Sequence, residues 1–466
     1  MQVEPRAWSR NARDGGRGVQ PVVTNQRLLN SALLVGSMTL VAKVAGATKE
    51  LVVAYGFGTA PELGAFIFAA MFPAFLINVI SGSLQVAFVP RYLAVKAQSG
   101  SPQAVALAAR FSMLTLMLMA LVVLVVTPVC YLFLGRVASG FDEETLALCR
   151  MLMLLLMPTA VVSGVAALWT SLLNAENNFR FTALVPLVTP ICIVLALAAS
   201  SRPWAVETLV FGTAMGALLE ALLLGHRVRA LGFKTFGQPS LSNEADHRIL
   251  GQFLPAAAAN VLMAGSMLVE QSFAATVSAG DVAAYAFGTR LTVVVATVLV
   301  TTLSTVLLPH FSRLAVASGV ASLRGALAPV VLGTLAVSVP AAGLFWLASG
   351  EITALVFQRG NFDAADAALV SSIQAAHGLY IPLFALGMVA VRLVNAMSAS
   401  RALMVGAALN LAASVALNAV LVPRVGVVGI AWANVGMYMV SAIFLWAFVL
   451  RAMRAGRTID QEGSSR

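Results

Sequence analysis

Three charged residues lie close together inside a strongly apolar stretch near the start of the chain. Lys43, Lys49 and Glu50 fall within residues 37–91, where Ala, Val, Leu, Ile and Phe predominate. A charged side chain at the centre of a bilayer costs roughly 3 kcal/mol or more, so it is retained where it faces a protein interior or a watery cavity. These residues are therefore the first candidates for a functional site.

The spacing of the three residues on a helix predicts what they line. At about 100° per residue, Lys43 and Glu50 point roughly 20° apart and lie two turns apart along one helix face. Lys49 points about 120° away from Lys43, so the two ammonium groups line different parts of a wall. Because ammonium groups attract anions and donate hydrogen bonds to them, we expect a central cavity that binds an anion.

A further cation belongs to the same predicted cavity. Arg290 lies about nine residues into the eighth apolar segment, roughly 14 Å from its outer end at 1.5 Å per residue and so near the bilayer centre. Lys43 lies at a similar depth in the first segment. Lys43, Lys49 and Arg290 are the predicted substrate-binding residues, and Glu50 and Glu270 are candidate counter-ions.

The composition places these residues in an all-α polytopic membrane protein. Hydrophobic residues make up 60% of the 466 residues and charged residues only 10%, against about 25% charged residues in soluble domains. Twelve apolar segments are long enough to span a membrane as helices. They are predicted near residues 28–54, 64–94, 105–134, 144–173, 181–200, 205–226, 249–277, 281–309, 325–349, 366–397, 402–422 and 427–451.

The distribution of charge predicts the orientation of the chain. The net charge of +10 does not indicate a nucleic-acid-binding protein, because most Lys and Arg residues stand in short loops beside apolar segments. With a cytoplasmic N-terminus, these basic loops fall in the cytoplasm. The opposite side then holds only Arg136, Arg202, Arg359 and Arg424, together with acidic groups. This positive-inside pattern predicts that both termini are cytoplasmic.

An internal repeat predicts two six-helix halves. Residues 64–100 align without gaps with residues 283–319, and Pro90 is paired with Pro309. An even number of helices per half gives a parallel pseudo-two-fold repeat around a central cavity, with the substrate site between the halves. The predicted parts are a basic cytoplasmic tail (1–27), an N-terminal half (28–226), a cytoplasmic linker (227–248), a C-terminal half (249–451) and a second cytoplasmic tail (452–466).

Several stretches resemble the MurJ/MviN family of lipid II flippases, within the multidrug/oligosaccharidyl-lipid/polysaccharide exporter superfamily. The most specific are FPAFLINVISGSLQVAFVP in the second helix and YAFGTRLTVVVATVLVTTLSTVLLPHFSR in the eighth. SMTLVAKVAGATKELVVAYGFG resembles the first helix, where the family usually has arginines at Lys43 and Lys49 and an aspartate at Glu50. The resemblance covers residues 28 to about 450.

The resemblance implies a flippase in the bacterial cytoplasmic (inner) membrane that moves a polyprenyl-diphosphate-linked glycan by alternating access. The glycan is left open between a lipid II-like peptidoglycan precursor and an exopolysaccharide or O-antigen unit. No bond is made or broken, so we expect no enzyme activity, no catalytic residue, no cofactor and no metal site. The expected partners are the lipid-linked glycan, membrane lipids and proteins of cell-envelope biosynthesis, with no nucleic acid. The sequence does not indicate an oligomeric state.

The alternative is a cation-coupled drug or small-molecule antiporter of the same superfamily. Such a protein would favour buried carboxylates over buried cations, and this chain has the reverse balance. The sequence also departs from the family pattern. Gly64 stands where an aspartate is usual, and Ile77 and Asn78 stand where paired arginines are usual. Many members carry two further C-terminal helices that shape a groove for the lipid tail, and we expect these departures to bear on the choice of substrate.

Overall fold

The computed structural model describes residues 25–200, 205–238, 244–318, 323–397 and 399–455, and these ranges contain helices and short connections without a strand. The predicted tails (1–27 and 452–466) and linker lie partly outside the described residues. The helices are α1 (Asn25–Phe57), α2 (Pro61–Ser99), α3 (Ser101–Val137), α4 (Glu143–Ala175), α5 (Phe179–Leu184), α6 (Val188–Ala199), α7 (Val206–Ala230), α8 (Glu244–Val277), α9 (Ala279–Ser318), α10 (Leu323–Phe357), α11 (Ala364–Gly378), α12 (Tyr380–Ala396), α13 (Ser400–Val425) and α14 (Val428–Ala455).

Each predicted span coincides with one of these helices or with a pair of them. Eleven segments of the described chain are long and apolar enough to cross a membrane. The remaining predicted span, 28–54, lies within α1. The structure thus confirms the prediction of an all-α, multi-pass membrane protein.

The predicted span 366–397 coincides with the candidate membrane span Ala364–Ala396, which is interrupted at Leu379 and so consists of α11 and α12. Pro382 lies in the first turn of α12. In a continuous helix its ring would clash with the carbonyl group of Gly378, and its missing N–H would leave that carbonyl unpaired. The span 181–200 is also interrupted, by a 3-10 turn over Val185–Leu187 that contains Pro186.

The connection between α7 and α8 packs against the first six spans. Phe233 packs against Tyr92, with 6.4 Å between the centroids of the two tilted rings, and Gly237 N donates a 2.9 Å hydrogen bond to Ala109 O. Nearby, Lys96 Nζ lies 2.6 Å from a carboxylate oxygen of Glu176. Burial opposes ionisation of Glu176, but hydrogen bonds from Lys96 and Tyr92 and the charge of Lys96 outweigh it and hold the pKa of that carboxyl below its usual range.

The helices meet tightly at the end of the molecule to which α1 runs. Asn361 N donates to Tyr55 O at 2.9 Å, and Asn361 Nδ2 donates to Gly56 O at 2.7 Å. The hydroxyl and the backbone N–H of Thr59 both donate to the carboxylate of Asp366. We call these five residues the closed end. The sequence predicts that this end faces the outside of the cell.

The helices α2 and α9 approach one another at the closed end through Gly64. A Cβ atom on Gly64 would lie 1.7 Å from Ala279 O and 2.5 Å from the carbonyl carbon of Ala279, far inside van der Waals contact. The backbone of α2 therefore touches the first turn of α9 directly. An aspartate, which is usual in the family at this position, cannot occupy this contact.

We expect Gly64→Ala to lower the thermal unfolding midpoint (Tm) of the purified protein in detergent, because the new methyl group forces the backbones of α2 and α9 apart. Overpacking of this kind costs about 1–3 kcal/mol. Gly343→Ala is the matched control, since a Cβ atom at Gly343 meets nothing within 4 Å. Equal Tm values for the two variants would contradict the close approach at Gly64.

Candidate substrate-binding site

Lys49, Glu50 and Arg290 meet between α1 and α9. Lys49 Nζ lies 2.8 Å from Glu50 Oε1, and Arg290 Nη2 donates to the same carboxylate oxygen. Glu50 and Arg290 are 240 residues apart in the sequence. One carboxylate thus takes two cations, and the group as a whole carries a net positive charge. We call these three residues the ion group.

The ion group lines a cavity of about 130 Å³. The remaining lining is apolar and is contributed by helices from both parts of the chain. It includes Leu63, Phe66, Ile193, Leu209 and Phe287. The side chain of Glu50 is 17% exposed, whereas that of Arg290 is 54% exposed. The carboxylate is therefore covered, while the guanidinium group still presents N–H donors toward open space.

The apolar surroundings explain why these charges are found together. A buried charge without a partner is strongly destabilising, and a buried ion pair is tolerated when its geometry compensates for lost hydration. Lys49 and Glu50 are adjacent in α1, so the flexible lysine side chain turns back to reach its neighbour. Arg290 then links the pair to α9. The site depends on both helices being held at a fixed depth relative to one another.

Lys43 lies apart from the ion group. Its side chain is exposed, and it makes no hydrogen bond or ion pair with the described side chains. It shares the helix face of Glu50 but lies roughly 10 Å nearer the start of α1, at 1.5 Å per residue. In the structure, Arg290 and Lys49 both form ion pairs with Glu50. Lys43 is not brought together with Arg290. A substrate-binding role for Lys43 stays a prediction.

Glu270 is hydrogen-bonded to neutral side chains, and a counter-ion role for it stays a prediction. Its carboxylate accepts a 2.8 Å hydrogen bond from Tyr285 Oη and a 2.9 Å hydrogen bond from Asn434 Nδ2. None of the described cations forms a salt bridge with it. These three residues come from α8, α9 and α14, and no spacing in the sequence relates them.

Sequence reasoning also missed the polar residues of the closed end. Asp366 caps α11 together with Asp363, and this local role is readable from the sequence because the two residues are three positions apart before an apolar run. The hydrogen bonds from Thr59 to Asp366 cross 307 residues of sequence. No local pattern signals such a contact.

The helix arrangement is shared with solved membrane transporters. The structure entitled "Lipid II flippase MurJ, inward closed conformation" superposes with a TM-score of 0.76 at 20% identity, over 91% of this chain and 90% of that one. An inward-facing multidrug resistance MATE family transporter also gives a TM-score of 0.76, at 14% identity over 92% of this chain and 99% of that one. An outward-facing one gives 0.61, at 16% identity over 91% of this chain and 96% of that one.

A bundle of spanning helices, closed at one end and holding a charged cavity between helices from distant parts of the sequence, defines a helical membrane transporter. The family model described as "Lipid II flippase MurJ" matches residues 53–463, which is most of the chain. The chain belongs to this family.

Curated relatives agree with this assignment. A protein of Synechocystis sp. named "Probable lipid II flippase MurJ" is 24% identical over 91% of this chain and 82% of its own length. A protein of Rhizobium meliloti with the same name is 25% identical over 93% of this chain and 82% of its own length. A "Lipid II flippase MurJ" of Burkholderia cenocepacia is 25% identical over 76% of this chain and 70% of its own length.

We expect Glu50→Ala to lower Tm, because it leaves Lys49 and Arg290 close together without a carboxylate between them. The double variant Glu50→Ala/Arg290→Ala should be less destabilised than the sum of the two single variants. Coupling energies of contacting charges are about 0.5–3 kcal/mol, and the exposure of Arg290 places this pair toward the lower end. Unfolding of all four proteins in detergent measures the coupling, and strictly additive effects would contradict the ion pair.

Proposed function

We propose that the protein flips a polyprenyl-diphosphate-linked glycan precursor across the bacterial cytoplasmic membrane by alternating access, without catalysing a reaction. The observation that carries the proposal is the ion group, in which two cations share one carboxylate within a cavity. The relatives named as lipid II flippases support a lipid II-like peptidoglycan precursor as the substrate.

The chemistry of the head group fits the charges on this site. A diphosphate diester carries about two negative charges, and lysine and arginine are the side chains that neutralise it and donate hydrogen bonds to it. The ion group and Lys43 together carry a net charge of +2. Arg290 has N–H donors that Glu50 does not use. The diphosphate therefore competes with Glu50 for Arg290 and Lys49.

This competition couples binding to movement. While Glu50 holds Arg290, α1 is tied to α9 just inside the closed end. A bound diphosphate takes over the cations and weakens that tie, so the closed end opens toward the outside. The movement is a rocking of residues 28–226 against residues 249–451, as in other transporters built from repeats.

An exopolysaccharide or O-antigen unit is the second candidate substrate, and Asn78 is the observation that favours it. This residue stands in the apolar helix α2, where the family usually has an arginine, and its side chain is exposed. A polar side chain in a spanning helix faces a cavity rather than lipid. An amide there donates hydrogen bonds to sugar hydroxyl groups and accepts hydrogen bonds from them. A drug antiporter is less supported, because two cations line the site.

We expect Arg290→Ala and Lys43→Ala to lower flipping about tenfold or more, because each removes a charge-assisted hydrogen bond to the diphosphate, worth about 1.5–3 kcal/mol. Lys43→Arg should keep activity, since it retains the charge. The measurement uses purified protein in vesicles with two fluorescent probes, lipid II and a polyprenyl-diphosphate trisaccharide without the peptide.

Arg150→Ala is the matched control for these variants. Its guanidinium group, on α4, lies 5.3 Å from the centre of the Tyr131 ring, on α3, and Arg150 is not among the residues that line the cavity of the ion group. Unchanged flipping by both alanine variants of the site would overturn the anion-binding cavity. The relative rates of the two probes in the wild type distinguish the two candidate substrates.

The proposal includes cytoplasmic termini and a closed end that faces outward. Single cysteines at Asp142 and Ala365, in a background without the three natural cysteines, should react with an impermeant thiol reagent in intact cells. Cysteines at Gln98 and Gln238 should react only after permeabilisation. All four side chains are exposed, so accessibility reports the side of the membrane. Labelling of the Gln238 position in intact cells would contradict this orientation.

A further inference from the structure

An apolar groove runs between α9 and α10. It has a volume of about 440 Å³, which lies within the usual range of about 300–1,000 Å³ for ligand pockets. The groove exists because α9 packs mainly against α2, α11 and α12 and only lightly against α10. Its lining includes Val294, Val298 and Leu299 of α9 and Gly333, Thr334 and Val337 of α10.

The described residues that line the groove offer no free polar side chain to a ligand. Their one hydroxyl group, that of Thr334, donates a 2.8 Å hydrogen bond to Val330 O within its own helix. Val294, Val298 and Val337 are 48%, 56% and 59% exposed, so the groove is open along one side. A hydrocarbon chain fits such a surface, and a sugar or a phosphate does not.

The groove begins one helical turn from the ion group. Val294 is the i+4 neighbour of Arg290, roughly 6 Å further along α9 and about 40° around it. The helix α1 runs toward the closed end and α9 runs away from it, so the two are antiparallel. Lys43, seven residues before Glu50, therefore lies level with the turn of α9 that contains Val298. The groove therefore starts at a depth between that of Arg290 and that of Lys43.

We propose that this groove holds the polyprenyl chain of the lipid-linked substrate while the diphosphate occupies the ion-group cavity. The inference rests on the proposed function. A diphosphate bound at Arg290 fixes the first carbons of its chain within a few ångströms of Val294. The chain then needs an apolar path from that point, and the groove supplies one. An acyl chain of a bulk phospholipid has no comparable link to Arg290.

The test fills the groove and compares two probes. Gly333→Phe places a ring in the groove, and a Cβ atom at Gly333 meets nothing within 4 Å, so the side chain starts in open space. Gly343→Phe is the matched control on the same helix, where a Cβ atom also has open space. The probes are lipid II with its full polyprenyl chain and an analogue with the same head group and a short chain.

We expect Gly333→Phe to weaken binding of the long-chain probe about tenfold or more, because several CH2 groups are expelled from the groove. Binding of the short-chain probe should be unchanged, and Gly343→Phe should affect neither probe. Equal effects of Gly333→Phe on both probes, or no effect on either, would overturn the proposal that the groove holds the polyprenyl chain. Arg290→Ala should weaken both probes, and failure of that result would instead overturn the proposed function.

A second measurement leaves the groove intact. A photoreactive amino acid in place of Val337 should crosslink to the long-chain probe in vesicles of phosphatidylethanolamine and phosphatidylglycerol, and the crosslink should be lost in Arg290→Ala. Crosslinking to the phospholipids alone would overturn the proposal, because the groove would then hold bulk lipid.

Discussion

A charged side chain inside a membrane needs a partner of opposite charge, and in this protein Glu50 is the partner of two cations, Lys49 and Arg290. The carboxylate oxygen that takes Lys49 and Arg290 allows α1 and α9 to carry charged side chains at a depth where either cation alone would be costly. The pairing also fixes the two helices relative to one another, because the guanidinium group reaches Glu50 only at one relative depth. The cavity and the groove beside it both depend on that alignment.

The ion group is the part of this contact that a ligand can change. At the closed end, α1 and α2 are joined to the later helices largely through main-chain atoms. Examples are the hydrogen bonds from Asn361 to Tyr55 O and Gly56 O and the approach of Gly64 to Ala279. Such contacts have no charge for an anion to compete with. The ion pair between Glu50 and Arg290 does involve charges, and a diphosphate offers Arg290 a stronger partner than a single carboxylate oxygen. In the proposed function, the response to substrate therefore lies at the ion group, and the main-chain contacts of the closed end oppose its opening.

Much of this site could be predicted from the sequence, because charges are conspicuous against an apolar background. Lys43, Lys49, Glu50 and Arg290 stand out for that reason, and the spans follow from length and hydropathy. Which of these charged residues pair with one another could not be predicted. It depends on the depth at which α1 lies against α9, which no local pattern encodes. A helical projection directs Lys49 away from the face of Lys43 and Glu50, yet four flexible methylene groups let its ammonium reach the neighbouring carboxylate.

The hydrogen-bond partners of Glu270 could not be predicted either, because Tyr285 and Asn434 come from other helices and are neutral.

The net charge of the candidate site nevertheless bears on the proposed substrate. With Glu50 subtracted, the three cations give a net +2, which matches a diphosphate without the arginine pair that the family usually has at Ile77 and Asn78. In the proposed function, recognition of the diphosphate therefore needs no further cation at these two positions. In the proposed function, selection among glycans then falls to neutral groups, and Asn78 is one that α2 exposes. Asn78 is not among the residues that line the cavity of the ion group, so in this proposal affinity for the diphosphate and selection of the glycan are carried by different parts of the structure.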